Sequence, residues 1–310
     1  MIEVLEPGTM TSVQTAGGRP GWRHLGVPAG GAADPWSARL ANRLVGNPDD
    51  AALLEVTLRG PSLRFGDTTA VALTGAAFDA TLDQLPLPAN VGRRVRSGSV
   101  LRIGLGDGAR AYVAVGGGIV VAHVLGSAAT DLRTGFGGLD GRALQAGDRL
   151  MFGMPTDRIR RSTVAKRIGP IRVVPGPHAG IERMVARAWT VGSEADRTGV
   201  RLDGPSLASD RSEVSSMGLP LGAIQVPPDG RPIVMLADRP VTGGYPVPAC
   251  VVRADIGRVA ALRPGDEVTF ASVSLEEARR AMRQAEDELA ALADADAPPD
   301  DELGWAGAIE

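Results

Sequence analysis

The sequence predicts a mainly β protein: two related β-domains in tandem, a few short helices and one helix at the C-terminus. Three observations lead there. Short apolar, β-branched runs recur between turn residues along most of the chain, the pattern of sandwiches and barrels. The 41 glycines and 23 prolines, with only 4% aromatics, supply many turns and close backbone approaches. Two phrases also occur twice in the same order: LRGPSL (58–63) returns as LDGPSL (202–207), and LQAGDRLMF (144–152) returns as LRPGDEVTF (262–270). The charged stretch TDRIRRSTVAKR (156–167) separates the copies. The expected boundaries are therefore a first domain over 1–155, a linker over 156–168 and a second domain over 169–273.

In chain order, the first helix is predicted where Asp34 caps and Pro35 occupies the first helical position. Trp36, Leu40 and Leu44 follow at a spacing of four, and Gly46 ends it. Strands are expected at SLRF, TAVALTG, FDATL, SVLRIGL, AYVAV and GDRLMF in the first half. In the second half they are IRVVPG, GVRL, AIQV, PIVML, ACVVRADI and DEVTF. GLGDG (104–108) holds a G-x-G, but strand-like residues follow it, so it is not a dinucleotide-binding turn. The uncharged run AYVAVGGGIVVAHVLGSAAT (111–130) has the length of a membrane span, yet three glycines divide it into two short strands around a turn. A C-terminal helix over 274–292 starts at Ser274 with Glu277 completing a capping box. Its stripe is Ala278, Met282, Ala285, Leu289 and Leu292. Residues 293–310 form an acidic tail, expected to be disordered.

Composition excludes several chemistries. Cys250 is the only cysteine, so no internal disulfide or cysteine-based metal cluster is possible. His24, His123 and His178 show no metal-ligand spacing, and no metal site is expected. Lys166 is the only lysine, so there is no Walker-type ATP loop, and a Schiff-base mechanism would depend on that one residue. Residues 275–310 hold eleven acids and three arginines, a net of −8, which leaves +5 on the remainder of a chain with overall charge −3. That mild excess suits small anionic substrates; no basic run with interleaved aromatics points to nucleic acid. With no signal peptide and no membrane span expected, the expected location is cytoplasmic.

Five segments are richer than turns require: GRPGWRHLGVPAGGAADP (18–35), TDLRTGFGGLDGR (130–142), SEADRTG (193–199), GAIQVPPDG (222–230) and ADRPVTGGYP (237–246). Singly, each reads as a turn, with Gly243 and Gly244 expected to supply positive φ in the last. Together they place Asp-Arg twice and a strand-borne Gln225 between the two copies. Arginine forks recognise carboxylates, glycine-flanked N–H groups stabilise oxyanions, and a glutamine both donates to and accepts from an amide. Such a pocket suits a small amide, urea or lactam bearing a carboxylate.

Five longer stretches carry a family likeness: GRPGWRHLGVP, ARLANRLVGNPDDAALLEVTLRGPSLRF, LGSAATDLRTGFGGLDGRAL, GAIQVPPDGRPIVMLADRPVTGGYP and LRPGDEVTF. Through them the chain resembles the biotin-dependent carboxyltransferase-like family, which includes the 5-oxoprolinase C subunit, allophanate hydrolase subunit 2 and KipA. It differs from the family's usual DLGRPG, SGAMD and SDRMG, reading TAGGRPG, GGAAD and ADRTG. The resemblance implies two cyclophilin-like β-barrel domains. It also implies a role as the C subunit of an ATP-dependent 5-oxoprolinase, opening the lactam of 5-oxo-L-proline to L-glutamate. The partners it implies are a KipI-like B subunit together with the A subunit of that enzyme. ATP is then expected with or on those partners. Arg239, Asp238, Gln225 and Thr242 are expected to act in catalysis, with the arginines stabilising charge and Gln225 and Thr242 orienting the amide. Asp196, Arg197, Gly243, Gly244, Tyr245 and His24 are expected to bind substrate. Two alternatives follow from the same resemblance: the carboxyltransferase component of a biotin-dependent urea or amide carboxylase, with biotin arriving on another chain, or a non-catalytic KipA-like regulator.

Overall fold

A computed structural model describes residues 1–155, 159–164, 167–207 and 214–292; Lys166 and the acidic tail lie outside the described residues. The strands form an 11-stranded branched sheet, a closed seven-stranded barrel and a small two-stranded ribbon. The expected mainly β architecture with a C-terminal helix is what the chain adopts.

The spine of the first sheet is one 16-residue strand, Val100–Val115. Its first half pairs with Ser62–Phe65 and Phe78–Leu82, and its second half with Leu53–Arg59 and Thr69–Gly75. Ile2–Glu6 and then Arg149–Phe152 extend the sheet beyond Ser62–Phe65, while Met10–Gln14 flanks Leu53–Arg59. The core between the folded-over halves is apolar and mostly aliphatic, with Ile2, Leu63, Leu101, Val113 and the aromatic Phe65 among its buried members.

The spine corrects the sequence reading, which places two strands there with GLGDG between them. The glycines do not turn the chain; they admit neighbours. A Cβ on Gly106 would overlap the Phe78 ring, and one on Gly108 would stand 2.8 Å from the Ala261 carbonyl oxygen. Glycine inside a strand marks close approach as often as it marks a bend.

In the barrel, Ile171–Pro175, Ala249–Val251, Ala223–Gln225, Ile233–Met235, Gly199–Asp203, Ala188–Ala195 and Glu267–Ser272 follow one another around the wall. Parallel pairing of Ile171 with Phe270 closes it. Trp189 fills the interior, its indole N–H donating to the Met184 carbonyl at 2.9 Å. The strand expected through ACVVRADI stops at Val251 and gives way to a 3-10 turn, Arg253–Asp255, and a short helix, Ile256–Ala260. The buried Asp255 carboxylate accepts from the backbone N–H, Nε and Nη2 of Arg172, which pins the turn.

The repeated GD turn folds alike in both copies. Gly147 and Gly265 have φ of 88° and 89°. Asp148 and Asp266 each accept from the backbone N–H three residues earlier, Gln145 at 2.7 Å and Arg263 at 2.8 Å. Val4 exchanges hydrogen bonds with Gly147 and Asp148, as Val191 does with Gly265 and Asp266. The other phrase diverges: SLRF continues as a strand in the first copy, whereas residues 204–207 carry none in the second.

Two helices cover the seam between sheet and barrel. Asp34 caps Pro35–Leu44, accepting from the N–H groups of Trp36 and Ser37. The helix Leu275–Ala291 begins with the expected capping box at Ser274 and Glu277. Its Ala278, Ala281 and Ala285 pack with Val252 and Ala254 of the barrel side. Leu289 and Leu292 pack with Leu40 and Leu44 of the helix Pro35–Leu44, which lies against the first sheet. Polar links reinforce the strap: Arg39 forks onto Glu286, Trp36 donates to the Ala285 carbonyl, and Arg167 pairs with Glu288 while stacking over Trp36.

Candidate functional site

The five segments converge where the first sheet meets the barrel. The barrel side is built around Arg197, in the turn between Ala188–Ala195 and Gly199–Asp203. Asp196 shapes that turn, its carboxylate accepting from the N–H groups of Thr198 at 2.7 Å and Gly199 at 3.1 Å. It is exposed, and its role is to fold the turn that presents Arg197.

Arg197 is only 4% exposed and makes four hydrogen bonds, two within the barrel side and two across the seam. It forks onto Asp238, Nε to Oδ2 at 2.8 Å and Nη2 to Oδ1 at 3.0 Å. Nη1 donates to Glu55 of the first sheet, and Nη2 to the Gly31 carbonyl at 2.6 Å. Glu55 also accepts from the Ala33 N–H at 2.8 Å and the Tyr112 hydroxyl at 3.0 Å. Arg110 stands 3.8 Å away. Burial pushes the Glu55 carboxyl up, but Arg197 and Arg110 outweigh it and hold it below the usual carboxylate range. Burial raises the Asp238 carboxyl despite Arg197, with Glu55 and Asp131 adding repulsion. Burial also opposes the Arg197 charge, and the two carboxylates more than restore it. This cluster bolts barrel to sheet.

Arg239 follows Asp238 but turns elsewhere. Its Nε donates to the Leu219 carbonyl at 3.0 Å and its Nη1 to the Leu236 carbonyl at 3.2 Å. Burial and the nearby Arg23 lower its pKa to about 10. Arg23 reaches over from the first segment and donates to the Leu219 and Val241 carbonyls at 2.8 and 3.1 Å. Gln225 is buried on its strand, and its Nε2 has no hydrogen-bond partner among the described residues. A Cβ on Gly243 would overlap that amide nitrogen. Neither Gly243 nor Gly244 has positive φ, which corrects the expectation of a left-handed turn there. Gly243 is needed for the space it leaves to Gln225. Thr242 and Tyr245 are exposed on the rim, with Thr242–Gly243 paired to Met217–Gly218 in the ribbon. His24 is also exposed, its Nδ1 at 2.8 Å from the Gly21 carbonyl oxygen.

Arg23 is a residue the first segment draws attention to; Arg19, Glu55 and Phe136 also belong to this region, and sequence reasoning does not single them out. Arg19 is fully buried beneath the Phe136 ring, 4.6 Å from its centroid, and donates to the Ala129 carbonyl. Its Nε and Nη1 lack partners among the described residues. A Cβ on Gly30 would stand 3.0 Å from Nη1, so this glycine admits the guanidinium. The available signal for Glu55 is a carboxylate embedded in the apolar strand LLEVTLR.

A cavity of about 540 Å³ lies elsewhere, lined by Asp34, Trp36, Arg110 and Arg258 among others. Its arginines already have acceptors: Arg110 at the Ala260 carbonyl, Arg258 at those of Gly169 and Pro170. Arg110 Nε is the one buried unsatisfied donor among the cavity's described lining residues, whereas Arg19, Arg23 and Gln225 carry four between them, so the region of the five segments is the stronger site. No group of three or more histidines, cysteines or carboxylates among the described residues could hold a metal. An ATP phosphate does not fit the N-terminus of Pro35–Leu44, because the Asp34 carboxylate occupies its free N–H groups. Lys166, on which a Schiff-base mechanism would depend, falls outside the described residues.

Comparison with known proteins gives consistent matches. A family model, carboxyltransferase domain, subdomain A and B, covers residues 25–272. The 5-oxoprolinase C subunit of Escherichia coli (strain K12) is 38% identical, over 91% of this chain and 94% of that protein. Its namesake from Haemophilus influenzae is 36% identical, over 92% and 96%. The crystal structure of Kluyveromyces lactis urea carboxylase matches with a TM-score of 0.87 at 32% identity, over 94% of this chain but 29% of that one.

Proposed function

Since the chain belongs to the carboxyltransferase domain family of subdomains A and B, we propose that it is the C subunit of an ATP-dependent 5-oxoprolinase, acting with the A and B subunits on 5-oxo-L-proline. The observation that carries this reading is correspondence end to end with proteins of that name, at 94% and 96% of their lengths. The urea carboxylase likeness accounts for 29% of a much larger chain and supports a related fold more than a shared substrate.

Ring opening breaks the lactam C–N bond and leaves a carboxylate and an amine. Amide resonance makes that carbonyl a poor electrophile, and developing negative charge on its oxygen is what a protein must stabilise. The unsatisfied groups of the seam suit that need, because Arg19 Nη1 and Nε and Gln225 Nε2 all donate and none accepts. Asp238, locked to Arg197, holds the Asp238–Arg239 turn against the barrel. ATP chemistry is assigned to the partner subunits, since the sequence holds no Walker-type loop.

The test is ATP-dependent glutamate release from 5-oxo-L-proline by the full chain mixed with its own A and B subunits. Release that requires all three supports the assignment. No release from a complete, folded set overturns it, and biotin-dependent carboxylation of urea would transfer the chain to the carboxylase reading.

A further inference from the structure

Arg23 and Arg239 come from opposite sides of the seam and aim at one oxygen. Arg23 Nη2 lies 2.8 Å, and Arg239 Nε 3.0 Å, from the Leu219 carbonyl oxygen. Two guanidinium charges thus share a neutral acceptor. Neither forms an ion pair with a carboxylate among the described residues, whereas Arg197 and Arg110 both stand within ion-pair distance of Glu55. Arg239 is 8% exposed, so water does little to screen the repulsion. Among the described residues, Arg23 Nη1 is buried with no acceptor, and so is Nε2 of the neighbouring Gln225, which packs on Gly243 of the ribbon that lies beside Leu219. A like-charged pair with unsatisfied donors is complete only when an oxyanion joins it, and a planar carboxylate matches guanidinium forks best.

We propose that Arg23 and Arg239 form a carboxylate subsite, and that it selects a lactam bearing a carboxylate over a neutral amide of similar size. This rests on the 5-oxoprolinase reading for the lactam, but the subsite itself is defined by the two arginines. Arg239 sits in the loop that follows the barrel strand Ile233–Met235 and Arg23 on the first sheet's glycine-rich segment, so the subsite exists only across the seam. It also explains why a neutral substrate such as urea would leave the pair uncompensated.

Calorimetric titration of the full chain, alone and mixed with its partner subunits, compares three ligands. These are 5-oxo-L-proline, 2-pyrrolidinone (the same ring without the carboxylate) and inorganic phosphate. The expected result is a preference of about 10- to 100-fold for 5-oxo-L-proline over 2-pyrrolidinone. Arg23→Gln and Arg239→Gln should each remove the preference while 2-pyrrolidinone binding changes by less than about twofold. Arg23→Lys, which keeps the charge and folds if the glutamine variant does not, should retain part of it. Equal binding of both lactams by the wild type, a preference that survives both glutamine variants, binding of phosphate alone, or no binding in either preparation overturns the subsite. Glutamate release is scored separately. If the complex turns over 5-oxo-L-proline and Arg23→Gln leaves KM unchanged, the subsite falls and the function stands. If binding is selective but the complete complex releases no glutamate, the function falls and the subsite stands.

Discussion

Replacing Arg197 with methionine keeps most of the side-chain volume and removes the charge that joins barrel to sheet. Four hydrogen bonds disappear: two to Asp238, one to Glu55 and one to the Gly31 carbonyl. Glu55 keeps the Ala33 N–H, the Tyr112 hydroxyl and Arg110 at 3.8 Å, but Asp238 loses its cation while remaining 8% exposed. Removing one member of a buried ion pair costs about 3–5 kcal/mol, a large share of the roughly 5–15 kcal/mol that stabilises a folded domain. Equilibrium urea denaturation followed by tryptophan fluorescence measures it. Protonation offers partial relief, and its sign is fixed. Asp238 already has a raised folded pKa, from burial above all, and loses its main opposing influence with Arg197. A carboxyl that holds its proton more tightly when folded favours folding as pH falls. The deficit of Arg197→Met should therefore be larger at pH 8 than at pH 5. In a double-mutant cycle, Glu55→Gln should cost less in the Arg197→Met background than alone. A deficit below about 1 kcal/mol at neutral pH, against the 3–5 expected for such a pair, or one that grows as pH falls, refutes the bolt.

Gly243→Ala should weaken 5-oxo-L-proline binding and lower Tm, because its Cβ meets Gln225 Nε2 and stands 2.8 Å from Leu219 Cδ1; Gly244→Ala, whose nearest atom is 3.4 Å away, should change neither. Leu289→Ala, at a fully buried position of the strap, should cost about 2–5 kcal/mol in chemical denaturation. Burial lifts the Cys250 thiol to about 11, so iodoacetamide should label the native chain far more slowly than the unfolded chain at pH 8, with the rate rising as pH approaches 11.

What can be read from the sequence is what neighbouring residues decide. Asp34 with Pro35, and Ser274 with Glu277, announce helix starts because the capping partners lie within three residues. The GD turn is legible as a repeated phrase, and its two copies share the same hydrogen bonds. Glycines are ambiguous because one residue type serves both turns and close approach. Gly106 and Gly243 read as turn residues, while the structure uses them to admit Phe78 and Gln225. The five segments are recognisable as over-specified, yet their division of labour is hidden. Asp196 serves its own turn, whereas Arg197 beside it reaches Glu55, 142 residues away. No local pattern reveals that Arg23 will share an acceptor with Arg239.

That separation bears on how the protein comes into being. Glu55 is synthesised early, but its cation arrives only with Arg197, and the Leu219 carbonyl and Arg239 later still. A nascent first half holds an acid at a position that is apolar in its neighbours, with the Ala33 N–H, the Tyr112 hydroxyl and Arg110 to temper it but without its closest ion-pair partner. The site is therefore a late product of translation, and neither half of the chain made separately can carry it. Co-expressed halves would regain it only by finding each other, which makes recovery of ligand binding from split fragments a direct measure of how strongly the seam holds.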